Sequence, residues 1–220
     1  MEGGGNFVNT FDKIHELFKS LRIELEKLSS ALGNSNLLAG KPVELASDFG
    51  SSPAFIGQFP RLTGTYEGIP VTIDFSIISD SSQLYTGLLN KPTSTLHDYL
   101  SPWLHIFFRQ TYPFHLLITP PQDDLMSKLT RKLGLTSRGF QVGEPDFDTR
   151  YFLDCRSGIT EAKAFLSLSE TRAQIQRLSP FFLLRFEKKH VKFISSISVS
   201  EDYQVDRLLG YIHALSMLKS

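Results

Sequence analysis

Glu144, Asp146, Asp148 and Asp154 bring four carboxylates into one short stretch of this chain. Carboxylates so grouped can hold a divalent cation, or divide acid and base duties at a reacting bond, provided the fold turns them to one face. His97, His105 and His115 fall in a second stretch and carry the side chain whose proton exchanges near neutral pH. Together, the carboxylates from Glu144 to Asp154 and one of these histidines define a hydrolase-like alternative. Against it, the calcium-loop pattern with its terminal glutamate is absent, and so is any His-Glu-x-x-His spacing. Neither a metal site nor a cofactor is therefore expected, and no residue is assigned a catalytic role.

The same acidic stretch has a purely structural reading, which is preferred. Gly143 can accept a positive φ, Pro145 fixes φ at a turn, and Asp146 and Asp148 can bond nearby backbone as Asx-turns. Phe147, between the two aspartates, would plug into the core and hold the turn down.

Other chemistries find less support. The Gly-x-Ser-x-Gly nucleophile pattern is missing, and Cys155 falls in an expected strand, where cysteine acts as a small buried hydrophobe. Gly3-Gly4-Gly5 precedes no strand and no Gly-x-x-x-x-Gly-Lys occurs, so no phosphate-binding loop is present. Lys128, Arg131, Lys132 and Arg138 form one basic cluster, and Arg185, Lys188, Lys189, His190 and Lys192 form another. Each reads as a solvated helix face or turn. With 23 basic and 23 acidic residues the chain has no global field to gather nucleic acid, which is not an expected partner. The longest apolar runs fall far short of the roughly 20 residues that span a bilayer, and Met1 to Phe11 does not read as a secretory signal. A single cysteine fits a reducing compartment, so a cytoplasmic location is expected.

The elements that must position these groups follow from periodicity. Phe11, Ile14, Phe18, Leu21, Leu25, Leu28 and Leu32 recur three and four apart, predicting an amphipathic helix stopped by Gly33. The same positions satisfy a heptad with Arg22 and Glu24 beside it. Self-association through this helix thus stands next to the preferred reading, packing against its own domain. Residues 34–60 show no sustained period and read as a loop or linker. Ile69, Val71, Ile73, Phe75 and Ile77 alternate with polar residues as a strand, paired with Leu62 to Glu67 across Glu67-Gly68. Leu84 to Leu89 reads as a short extended piece. Trp103 to Arg109 and Phe114 to Thr119 read as strands separated by Tyr112-Pro113, and Asp123 opens a short helix ended by Gly134.

In the second half, Tyr151 to Cys155 is an expected strand and Thr160 an expected helix cap. Ser167-x-x-Glu170 matches a capping box for a helix carrying Ile175 and Leu178. Phe181 to Phe186 and Val191 to Val199 form a hairpin, and Ser200 caps a final helix through Leu208, Ile212 and Leu215. Hairpins with helices between and after them give an α+β class, with an antiparallel sheet, helices mainly on one face, and an N-terminal amphipathic helix. The expected organisation is a helical segment at 1–33, a linker at 34–60 and an α+β core domain at 61–220.

Gly143-Glu144-Pro145-Asp146-Phe147-Asp148, followed by Tyr151-Phe152-Leu153, resembles the Gly-(Asp/Glu)-Pro-x-Phe-Asp segment of a loosely defined group of uncharacterised bacterial proteins. The resemblance covers roughly Leu62 onward and implies a fold without a known function. Members of that group often carry N-terminal membrane segments, where this chain has an amphipathic helix. With no catalytic motif in view, a non-enzymatic interaction or ligand-binding module is the leading expectation. Its partner would be a protein, or a small hydrophobic ligand if the helix-covered sheet encloses an apolar pocket.

Overall fold

A computed structural model describes residues 5–45, 54–77, 102–120, 139–196 and 205–219. The expected extended piece at Leu84, the helix opened by Asp123, the Ser200 cap, His97 and the basic cluster Lys128 to Arg138 lie outside the described residues. Helices are α1 (Gly5–Ser29), α2 (Pro145–Arg150), α3 (Ile159–Ser167), α4 (Ser169–Arg177) and α5 (Val205–Ser216). Strands are β1 (Gly33–Leu45), β2 (Ala54–Tyr66), β3 (Ile69–Ile77), β4 (Pro102–Phe108), β5 (His115–Thr119), β6 (Phe152–Ser157), β7 (Leu183–Glu187) and β8 (His190–Ser196). They form an eight-stranded antiparallel sheet in the order β1-β2-β3-β4-β8-β7-β5-β6, so the fold is α+β.

The chain divides into two compact units. One comprises Met1–Thr65, Thr72–His105 and Ser196–Leu208; the other comprises Tyr66–Val71, Ile106–Ser195 and Leu209–Ser220. These boundaries differ from the expected helix, linker and core. In the first unit, α1 buries Leu17, Phe18, Leu21, Leu25 and Leu28, followed by Leu32, and Phe18 meets Phe59 edge-on at 4.9 Å. From Leu17 onward the apolar seam is thus spent inside the unit, and the helix is part of the core. Residues 34–60, expected as a linker, instead supply β1 and the first part of β2, paired from Gly33↔Thr65 to Leu45↔Ala54 with three register shifts. Hydrogen bonding between backbones, which needs no apolar period, accounts for that difference.

The β2–β3 turn occurs where expected, at Glu67 and Gly68, whose φ of 50° and 79° are the positive pair that a two-residue type I′ hairpin requires. The expected strands at Trp103 and Phe114 also form, as β4 and β5, but they are not neighbours. β8 and β7 lie between them. The six residues Arg109 to Phe114 must then cross three strand spacings, about 14 Å, which is within their extended reach of about 20 Å. They pass the end of the β7–β8 hairpin, where the Tyr112 N–H donates to the Lys188 carbonyl at 3.3 Å.

In the second unit β5 and β7 alternate cleanly, and β6 and β8 continue their buried face. Leu116, Ile118, Leu153, Leu184, Phe186, Val191 and Phe193 are buried, and the positions between them point to the opposite face. Phe165 of α3 closes on Phe114 and Phe186 at 5.1 and 5.3 Å, and Tyr211 of α5 closes on Phe193 at 4.9 Å. Two expected caps are replaced. Gly158, at φ 72°, caps α3 in place of Thr160, because a Cβ there would come within 2.7 Å of the Pro113 carbonyl. Leu168 precedes α4 without a side-chain cap, since Ser167 Oγ donates back to the Ala164 carbonyl at 2.7 Å.

Tyr112 is 1% exposed and donates its hydroxyl to the Leu218 carbonyl at 2.7 Å. Burial pushes its phenol well above the usual range. Because the folded value is raised, the stability Tyr112 contributes is complete below a pH of about 10 and is lost as pH rises beyond it. Tyr112→Phe is expected to cost about 1 kcal/mol at neutral pH, because the Leu218 carbonyl then keeps only its longer bond, from Gln110 Nε2 at 3.2 Å. It should also flatten the alkaline fall in stability, both effects being read by urea unfolding across pH.

Candidate functional site

The acidic stretch divides into two parts. Asp148, inside α2, accepts the N–H groups of Val142 at 2.9 Å, Gly143 at 2.8 Å and Glu144 at 3.1 Å. Its carboxylate reaches back over the turn instead of forward as an Asx-turn would, and Gly143 takes the expected positive φ of 91°. Phe147, 2% exposed, plugs into the core against Tyr151, which stacks on Phe181. Glu144 is ion-paired with Arg172 at 3.0 Å, and Asp146 is exposed. Two of the four carboxylates are therefore held by local contacts, and no side-chain bond of Asp146 matches the expected Asx-turn.

Asp154 is different. It lies on β6, is 4% exposed, and its Oδ1 has no hydrogen-bond partner. Leu117 of β5 faces Asp154 on one side and Arg185 of β7 on the other, so the three residues stand in register across neighbouring strands. One step along the same face, His115, Arg156 and Glu187 complete the lining of a half-open cavity of about 50 Å³. His115 Nε2 is also buried without a partner. Arg185 and Glu187 hold each other at 3.6 Å, and His190 reaches Glu187 at 3.3 Å. All of these groups lie in the second unit, on the sheet face opposite the aromatic core.

The lining gathers a carboxylate, an imidazole and guanidiniums around one small volume. A dyad would need base and partner within hydrogen-bond reach, and the open atoms of Asp154 and His115 are not bonded to each other. The lining contains no serine, threonine, cysteine or lysine to act as nucleophile. Among the described residues, no group of three or more His, Cys, Asp or Glu is placed to hold a metal ion.

The remaining candidates have local roles. His105 bonds Ser76 Oγ through Nε2 at 2.6 Å in the first unit. The half-buried Cys155 thiol donates to the Ser157 carbonyl at 3.2 Å, and burial raises its pKa, which disfavours the reactive thiolate. In the second basic cluster Lys188 and Lys189 form an exposed turn, and Lys192 lies 5.3 Å from the Phe107 ring centre. The rings of Tyr112, Phe114, Phe165 and Phe186 pack against one another. Sequence reading singles out Arg185 only as part of the second basic cluster, and Arg156 and Glu187 not at all. Their only signal is the pairing of opposite charges two apart on one strand, Asp154 with Arg156 and Arg185 with Glu187, which places each pair on one face.

Comparison with protein families, with curated proteins and with solved structures found no match to the chain. No helix among the described residues is long and apolar enough to cross a membrane.

Proposed function

We propose that the protein is a non-enzymatic ligand-binding module whose ligand occupies the cavity between Asp154, His115 and Arg185. The observation that supports this most strongly is the buried Asp154 carboxylate on the cavity's lining, one oxygen of which has no hydrogen-bond partner. A buried charge without a partner costs stability, and sequences that keep such a cost commonly do so where function requires it. The hydrolase-like alternative loses ground because Asp148 is committed to its own turn and no serine, threonine, cysteine or lysine lines the cavity. The free Cys155 suits a reducing cytoplasm. The turn that seats Phe147 suits the resemblance to the bacterial group as a shared structural element.

The test compares the wild type with Asp154→Asn by native mass spectrometry and urea unfolding. The wild type is expected to carry an added small mass that the variant lacks. The variant, relieved of a buried charge, should be as stable as the wild type or more stable by about 1–2 kcal/mol. A wild type with no added mass, together with a variant that unfolds more easily, would make Asp154 a structural residue and end the proposal.

A further inference from the structure

We infer that the cavity takes a compact zwitterion of the α-amino-acid class, its ammonium on Asp154 and its carboxylate on Arg185 and Arg156. This rests on the binding reading above and names its ligand.

Charge balance supports the inference. The lining carries two carboxylates, Asp154 and Glu187, and two guanidiniums, Arg156 and Arg185. A simple cation or anion would upset that balance, whereas a zwitterion preserves it while answering both signs. The layout agrees with this. Asp154 and Arg185 flank Leu117 from the two neighbouring strands, so their backbones stand two strand spacings apart, about 10 Å. The Asp154 carboxylate, one oxygen of which is enclosed without a hydrogen-bond partner, has its charge answered by an ammonium, and the His115 imidazole lies on the same lining. Arg185 keeps donors beyond those it turns toward Glu187, since a guanidinium has five N–H groups and suits a planar carboxylate.

Size narrows the class. At roughly 10–15 Å³ for each water-sized occupant, about 50 Å³ accommodates a molecule of roughly four or five heavy atoms. That is the scale of glycine, or of the amino and carboxylate end of a larger amino acid whose side chain leaves through the open side. A metal ion suits the cavity less well, since His115, Asp154 and Glu187 on its lining are not placed together as a group that could hold one.

Isothermal titration of the intact protein separates the possibilities, with glycine and alanine as zwitterions and methylammonium and acetate as their two halves. The zwitterions are expected to bind, with each half at least roughly 100-fold weaker. Asp154→Asn and Arg185→Gln should each weaken binding by roughly 100-fold, and Arg185→Lys by less, because it keeps the charge but not the planar fork. Circular dichroism of each variant confirms that it is folded. Methylammonium binding as tightly as glycine, or acetate doing so, would overturn the inference in favour of a plain cation or anion site. If no member of the panel binds while native mass spectrometry still shows a mass that Asp154→Asn removes, the zwitterion class is wrong and the binding module stands. If neither signal appears, both fall.

Discussion

Phe186→Ala is expected to destabilise the protein by about 4 kcal/mol, the largest effect of any single substitution considered. Phe186 is fully buried on β7, and its ring lies 5.0 Å from Tyr112, 6.0 Å from Phe114 and 5.3 Å from Phe165. These partners come from the β4–β5 connection and from α3, so truncation leaves a void that no one element can close by shifting. The lost transfer energy is then joined by a cavity penalty, which is what places core Phe→Ala changes near the upper end of point-mutant costs. Phe186→Leu keeps most of the volume and should cost less than half as much. Urea unfolding followed by circular dichroism measures both, and an alanine variant within about 1 kcal/mol of wild type would show that the ring cluster is not the core it resembles.

Asp148→Ala comes next, with an expected loss of about 2–3 kcal/mol. Three backbone donors lose one charged acceptor at a stroke, and hydrogen bonds to ionised groups are the stronger kind. Water can reach Gly143 and Glu144, which limits the penalty, but the turn that holds Phe147 in place loses its tie. Asp148→Asn retains an oxygen acceptor and should recover about half of the loss. Ligand binding at the Asp154 cavity should survive in both variants, because Asp148 does not line it. Unchanged stability in Asp148→Ala would contradict the structural role of this carboxylate.

The two carboxylates show what a sequence makes legible. Asp148 bonds residues four to six positions before it, so a local reading of Gly143, Pro145 and Phe147 was enough to anticipate a held-down turn. Asp154 acquires its meaning from Leu117 and Arg185, which only strand register brings beside it. Strand β3 and the β7–β8 hairpin were legible because alternation reports a half-buried surface, and α1 because its seam recurs at helical spacing. Strand β1 was not. Asn36, Leu38, Ala39, Lys41 and Pro42 are exposed along it, and Leu37 is only half-buried, so no burial pattern marks it. Helix starts were displaced for a related reason: Gly158 serves α3 through the backbone space beside Pro113, and that space is set by tertiary packing.

The placement of β5 between β6 and β7 sets an order of assembly. The β7–β8 hairpin closes over two residues and can form within microseconds, but β5 finds its partners only across long sequence separations, which slows the search. Asp154, Leu117 and Arg185 come into register only when both of those pairings exist. During synthesis β7 emerges long after β5 and β6, and until it arrives one edge of β5 presents unpaired backbone. A ligand bridging Asp154 and Arg185 would therefore recognise only chains that have completed this step, and by holding β6 and β7 to the strand between them it would slow their unfolding more than it speeds their folding.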